Sequence, residues 1–383
     1  MAADAPLFAE PLHVGRPNIG DRERLFERFA DILDRRWLTN DGPYLQAFEQ
    51  EIKACLGVKH CIAVCNATIG LQLAIRALGM TGEVIVPSFT FPATVHALRW
   101  EGVTPVFCDV DPTTHNLDPA EVERLISPRT SGIVGVHLWG NACDVAALSD
   151  IARRKRLRLL FDAAHAFGCS HDGRMIGSFG DAEVFSFHAT KFLNSGEGGA
   201  IVTNDDELAA SLRRLRNFGL AAGAVESVGT NAKMTEFCAA MGLTSLESRD
   251  EFIDRNCANH AAYAATLDAI PGVRVLFSRV AERHNWQYVV AEVEAQSAGF
   301  TRDDLISTLH AQNILAKRYF SPGCHQMPPY AAVHDAARTP LPHTTRLCER
   351  LLQLPTGSGV THLDIARIGD FLKSLTRRRR RAA

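Results

Sequence analysis

No stretch of this 383-residue chain approaches the roughly 18 consecutive apolar residues of a membrane helix, and no secretory apolar region stands at its N-terminus. Neither a membrane span nor export is expected. A dominant charge is also missing: 41 Lys and Arg stand against 43 Asp and Glu, leaving a net charge of −2. That balance offers no global support for nucleic acid or an acidic membrane surface as partners. The longest like-charged run, Arg377 to Arg381, reads as a solvated, disordered end. Ten cysteines are scattered singly with no C-x-x-C pair, and Cys61 and Cys65 lack other soft ligands nearby. No metal site is expected, and free buried thiols suit a reducing cytoplasm. Internal repeats and long low-complexity segments are absent as well.

What is present is an ordinary globular composition, 46% apolar and 22% charged, enough for one large domain and a smaller one. Seven short apolar runs alternate with helical patterns between about residues 60 and 203: Cys61–Cys65, Val84–Val86, Pro105–Cys108, Gly132–His137, Leu157–Phe161, Val184–Phe187 and Ala200–Val202. Their apolar character is continuous rather than alternating, which predicts an α/β sheet buried on both faces between helices. A helical stretch from Thr235 to Leu267 leaves this region. Beyond it, Tyr288–Val293 alternates like an edge or half-exposed strand, Thr301 opens a helix, and a last helix begins near Thr361. The expected division is a segment 1–35, whose Phe26–Leu33 helix joins the small domain, a large domain 36–247, a small α+β domain 248–376 and a basic tail 377–383.

In such sheets ligands gather where strands end at their carboxyl edge, and the unusual residues of this chain fall there. Lys191 follows the apolar run Val184-Phe-Ser-Phe-His-Ala-Thr and precedes Gly196, Gly198 and Gly199. A lysine that attacks carbonyls must be deprotonated, and such lysines form Schiff bases with pyridoxal 5′-phosphate (PLP) or carbonyl substrates. It can equally cap its strand and extend to solvent. Asp162 ends another apolar run and is followed by His165. A buried carboxylate needs a cation such as a protonated pyridine, or it is a helix N-cap. Cys65-Asn66-Ala67-Thr68 joins a strand to a helix, whose start offers free N–H groups to a phosphate or is simply capped by Asn66 or Thr68. Phe91, after another strand, can stack on a flat ring or be plain core.

Together these segments resemble the PLP-dependent, fold-type I aminotransferases of nucleotide-linked keto sugars, the DegT/StrS family. The likeness runs from Trp37-Leu-Thr-Asn-Asp-Gly-Pro43 through Val86–Phe91, His137-Leu-Trp-Gly140, Asp162-Ala-Ala-His165 and Ser186-Phe-His-Ala-Thr-Lys191 to Gly229–Met234. It implies a mainly parallel seven-stranded sheet with PLP as cofactor. It also implies roles: Lys191 as the Schiff-base lysine, Asp162 as partner of the pyridine nitrogen, and His165 as a hydrogen-bonding neighbour of the ring. By the same likeness Phe91 stacks on the ring, while Ala67, Thr68 and Ser186 contact the phosphate. Asn231 matches an asparagine supplied by the second subunit, so a homodimer is implied. His188 and Glu197 look like those of enzymes acting at C4, closest to dTDP-4-keto-6-deoxy-D-glucose aminotransferases using L-glutamate; an enzyme of 3-keto sugars is the alternative. His325, Tyr330, Trp139, Lys317 and Arg318 are candidates for holding the nucleotide sugar, whose diphosphate needs cations or backbone donors.

Two other classes are weighed. A Rossmann dehydrogenase shares the alternation, but the first strand is followed by Asn66-Ala-Thr-Ile-Gly70 and not by G-x-G-x-x-G. A non-catalytic regulator on the same fold has only the arginine run in its favour, and intact Lys191 and Asp162 oppose it.

Overall fold

Each of the seven apolar runs forms a strand, and all seven join one sheet. The computed structural model describes residues 5–276 and 282–382. The strands are β1 (His60–Val64), β2 (Glu83–Pro87), β3 (Thr104–Cys108), β4 (Thr130–Val136), β5 (Arg158–Asp162), β6 (Ala182–Ser186) and β7 (Gly199–Thr203). Their spatial order is β1-β7-β6-β5-β4-β2-β3; only β7 runs antiparallel to its neighbours.

Successive residues of each strand point to opposite faces, and both faces are dry. On one side Cys61, Ile85, Ile133, Phe161, Phe185 and Val202 pack against α2 (Pro43–Leu56), α5 (Pro119–Leu125), α6 (Val145–Lys155) and α8 (Glu236–Glu247). On the other, Ile62, Val84, Val134, Leu160, Val184 and Ile201 pack against α3 (Ala67–Ala77), α4 (Pro92–Trp100) and α7 (Asp206–Arg216). This is the α/β sandwich that continuous apolar strands require. Because six strands share one direction, Cys65, Ser88, His137, Ala163 and Phe187 all leave the sheet at the same edge.

The helical stretch from Thr235 is two helices, α8 and α9 (Arg249–Leu267), meeting at Ser248. A second sheet follows, made of β8 (Val273–Val275), β9 (Val289–Val293), β10 (Lys317–Arg318) and β11 (Leu351–Leu354), antiparallel in the order β8-β9-β11-β10. The Tyr288–Val293 expectation is corrected here. The strand is central and its five residues are all buried, because α9, α10 (Arg302–His310) and α12 (His362–Ala382) supply a core to the sheet. Thr301 caps α10 in a reciprocal box with Asp304, as its position suggests. The helix α12 continues through the backbone of the arginine run to Ala382, where a disordered end was expected; the side chains of 377–382 lie outside the described set.

The N-terminal segment also differs from expectation. Phe8 enters the small-domain core, and Leu12–His13 pairs with Ile314–Leu315. The helix α1 (Arg22–Arg35) instead packs on α8 of the large domain, where Phe29 meets the Phe237 ring at 5.3 Å and Arg28 reaches Thr244 and Glu247. Among the described residues no helix is long and apolar enough to cross a membrane.

The segment Asn285–Tyr288 ties the small domain to the loop after β5. Asn285, 0% exposed, donates Nδ2 to the carbonyls of His165 (2.8 Å) and Phe167 (3.0 Å), and Gln287 Nε2 donates to the same His165 carbonyl at 2.7 Å. Asn285→Leu strips the buried Phe167 carbonyl of its donor and leaves the His165 carbonyl to Gln287 alone, and should destabilise the protein by about 1–3 kcal/mol in denaturant unfolding; an unchanged midpoint would show that this contact does not join the domains.

Candidate active site

Three of the sheet's carboxyl ends build one cleft. Asp162 is the last residue of β5, opposite Val136 and Val184 on the neighbouring strands. Its backbone leads into a turn rather than a helix, so the capping alternative fails: Oδ1 accepts the Ala164 amide at 3.0 Å within that turn. The other oxygen accepts Thr94 Oγ1 at 2.7 Å from α4. Burial raises the carboxyl's pKa, while Thr94, the Ala164 amide and the charge of Lys191 pull it down. The carboxylate is thus held out of water with only neutral donors in direct contact, a setting that favours a cationic partner.

His165 lies three residues on, buried, with a ring basicity pushed far down by desolvation and then by the nearby Lys191 charge. Its Nδ1 accepts the Trp139 amide in a long 3.4 Å bond, which puts the ring proton on Nε2. Phe320 lies nearly parallel to the imidazole at 5.9 Å, and Tyr288 meets it edge-on at 4.8 Å. Phe91, immediately ahead of α4, is 59% exposed and 6.4 Å from the Phe320 ring. It is not core; one face is open to whatever enters.

Lys191 sits in the loop after β6, with its backbone amide bonded to the His188 carbonyl at 2.8 Å. The side chain is half-buried and its Nζ donates to Tyr288 Oη at 2.9 Å. The alternative of a lysine extended into solvent does not describe it. Nearby, His188 Nε2 approaches Glu197 Oε1 at 3.6 Å, both exposed.

On the other side of β7 the helix α3 begins. Asn66 is its cap, accepting the Ile69 amide at 2.9 Å, so the amides of Ala67 and Thr68 have no partner among the described residues. In register, Gly199 lies between Val64 of β1 and Ser186 of β6. A Cβ on Gly199 would stand 2.7 Å from the Ala67 nitrogen and 2.9 Å from the Phe185 carbonyl oxygen, so glycine alone keeps this floor clear. Two free amides at a helix start, with the Ser186 hydroxyl one strand beyond Gly199, suit a phosphate. Asn231 is exposed on the strip 231–233, where the Ala232 carbonyl accepts the Cys65 amide at 2.8 Å.

These features fit PLP: an amine to hold its carbonyl, a buried carboxylate for its ring nitrogen, an open ring face and an anion-ready helix start. The chain's residues 20–373 match the model of the DegT/DnrJ/EryC1/StrS aminotransferase family. The protein belongs to this family. It is a PLP-dependent sugar aminotransferase. It is similar to GDP-perosamine synthase of Caulobacter vibrioides, at 39% identity over 93% of this chain and 96% of that protein. The dTDP-4-amino-4,6-dideoxy-D-glucose transaminase of Shigella dysenteriae is 37% identical over 82% and 85% of the two chains. Among solved structures, that of DesI with its TDP-sugar product superposes with a TM-score of 0.93 at 52% identity, covering 98% of this chain and 96% of that one.

The expected sugar contacts do not gather in the cleft. Only Trp139 borders it, buried beside His165 through its amide and packed on Phe89, His115 and Tyr319. Tyr330 is 1% exposed, its hydroxyl bonded to His96 and its ring against Phe107. His325 is buried under the Ser88–Phe91 loop, where Nδ1 meets Ser88 Oγ at 2.7 Å and burial lowers its pKa to about 4. Lys317 and Arg318 are exposed on β10, the edge strand, with Arg318 paired to Asp303 at 2.9 Å. Conversely, Thr94, Tyr288 and Phe320 belong to the cleft and were not singled out, since each meets its partner only through the fold.

A carboxyl whose folded pKa is raised contributes stability that is fully present below its unfolded pKa and is lost as pH rises through the folded value. At neutral pH the cofactor-free protein therefore bears the cost of an ionised Asp162. Asp162→Asn should raise the melting temperature of the cofactor-free protein at neutral pH, by about 1–3 °C, and remove that gain in acid, while weakening PLP retention; a variant less stable than wild type at neutral pH would contradict this.

Proposed function

We propose that this chain transfers the amino group of L-glutamate to C4 of dTDP-4-keto-6-deoxy-D-glucose, in the cytoplasm, yielding the 4-amino-4,6-dideoxy sugar. The supporting observation is the convergence of the Lys191 amine and the buried Asp162 carboxylate on one cleft, where the lysine's charge acts on the carboxyl. PLP, when bound, offers a carbonyl to an amine and a ring that accepts the electron pair left as a Cα–H bond breaks. Lys191 would hold the cofactor through its amine and, once released, would serve as the base that takes the amino acid's Cα proton and the acid that gives it up, and the reverse for the sugar. Asp162 keeps the ring nitrogen protonated, with Thr94 and the Ala164 amide fixing the carboxylate's direction. His165 donates from Nε2 beside the ring, and Phe91 covers the ring's open face. The amides of Ala67 and Thr68 and the hydroxyl of Ser186 hold the phosphate.

Asn231 reaches the site of a second copy, so the working unit in this reading is a homodimer. The C4 assignment draws on His188 and Glu197 and on the dTDP-4-amino sugar transaminase relative, and the dTDP nucleotide on that relative and on the TDP-sugar product bound to DesI. The similarity to GDP-perosamine synthase makes a GDP-linked keto sugar the competing substrate to include.

Purified protein incubated with L-glutamate and the dTDP- or GDP-linked 4-keto sugar should give a product with nitrogen at C4 by NMR, the dTDP form turning over faster. Turnover restricted to a 3-keto isomer would overturn the position. Lys191→Ala should lose the visible cofactor band and at least about 10³-fold in turnover; a yellow, active variant would remove Lys191 from its role.

A further inference from the structure

The small domain delivers one polar group straight to Lys191. Tyr288 stands just before β9, the central strand of the second sheet, and its hydroxyl is 2.9 Å from Lys191 Nζ across 97 residues of sequence. Its backbone is placed by neighbours that grip the large domain. Asn285 holds the carbonyls of His165 and Phe167, while Gln287 accepts the Phe192 amide at 3.3 Å and donates to His165. The residue next to Lys191 and the loop after Asp162 are thus fastened to the segment that carries Tyr288. The ring is oriented as well, edge-on to His165 at 4.8 Å and 6.1 Å from Tyr319.

We propose that Tyr288 is a positioning residue for Lys191: its hydroxyl receives the amine whenever that amine is not bonded to the cofactor, and keeps it aimed at the reacting carbon while it exchanges a proton. This rests on the reading of Lys191 as the Schiff-base lysine. The chemistry of the phenol suits the task. A hydroxyl both accepts and donates, so Tyr288 accepts from an ammonium and donates to a neutral amine. The contact therefore survives the proton's arrival and departure, and the lysine need not search among rotamers between the two. No bond to Tyr288 forms or breaks; the proton would pass from Cα to Nζ and on to the cofactor without resting on the phenol. A phenylalanine would retain the ring packing on His165 and lose only the anchor.

Tyr288→Phe separates anchoring from packing. Apoprotein titrated with PLP should bind it within about twofold of wild type and show the same visible band. In a single turnover with L-glutamate alone, the band should then decay about three- to tenfold more slowly, the size of one hydrogen bond, and the isotope effect with glutamate deuterated at Cα should increase. In a Lys191→Ala background restored by added methylamine, adding Tyr288→Phe should change the rate by less than about twofold, because the partner it anchors is gone. Unchanged decay and isotope effect in Tyr288→Phe would overturn the proposal, as would an equal loss in the methylamine-restored background or a collapse of PLP binding. These readings use no sugar, so failure of the C4 assignment leaves them intact; a visible band that persists in Lys191→Ala marks failure of the lysine assignment instead.

Discussion

Everything in this cleft depends on a carboxylate buried at the end of the sheet's middle strand. Asp162 is 5% exposed, meets no basic side chain directly, and sits where β4, β5 and β6 converge. Leaving a charge there is unfavourable by itself, and the fold sustains it by surrounding a single site with groups that need each other. Thr94 and the Ala164 amide fix its direction without neutralising it. In the proposed function a cationic ring removes that cost, and the protein is then completed by its cofactor rather than most stable without it.

The rest of the architecture serves that completion from two sides. The large domain contributes the helix start at Ala67 and Thr68, the glycine floor at Gly199 and the lysine loop. The small domain contributes Tyr288 and Phe320, and Asn285 and Gln287 clamp the two together through the His165 carbonyl. The cleft's geometry is therefore an interdomain property. A change in the Asn285–Tyr288 segment acts on Lys191 and His165 at once.

Much of this was legible in the residues, for definite reasons. Continuous apolar runs specify a sheet covered on both faces, and each of the seven formed within a residue or two of its expected place. Lys191, Asp162, His165, Phe91 and Thr68 could be singled out because strand ends in an α/β sheet are where chemistry collects, whereas Ala67 and Ser186 were named only through the family likeness. Tyr288 could not: its partner is 97 residues away, and within its own segment it reads as the start of a strand. The same segment misled about burial, since periodicity in β9 says nothing of the helices that cover it. His325 and Tyr330 lie deeper than their segment suggests for a related reason. A turn-rich stretch with polar rings looks exposed, yet it folds under the Ser88–Phe91 loop and packs on Phe107. The helix α1 likewise carries no mark of which domain it will join.

The central claim, that Asp162 holds a proton on the cofactor's ring nitrogen, is tested most directly by 15N NMR of the protein loaded with PLP labelled at that atom. At mildly alkaline pH the wild type should show the shift of a protonated pyridinium, and Asp162→Ala that of an unprotonated ring. An unprotonated nitrogen in the wild-type protein would contradict the account.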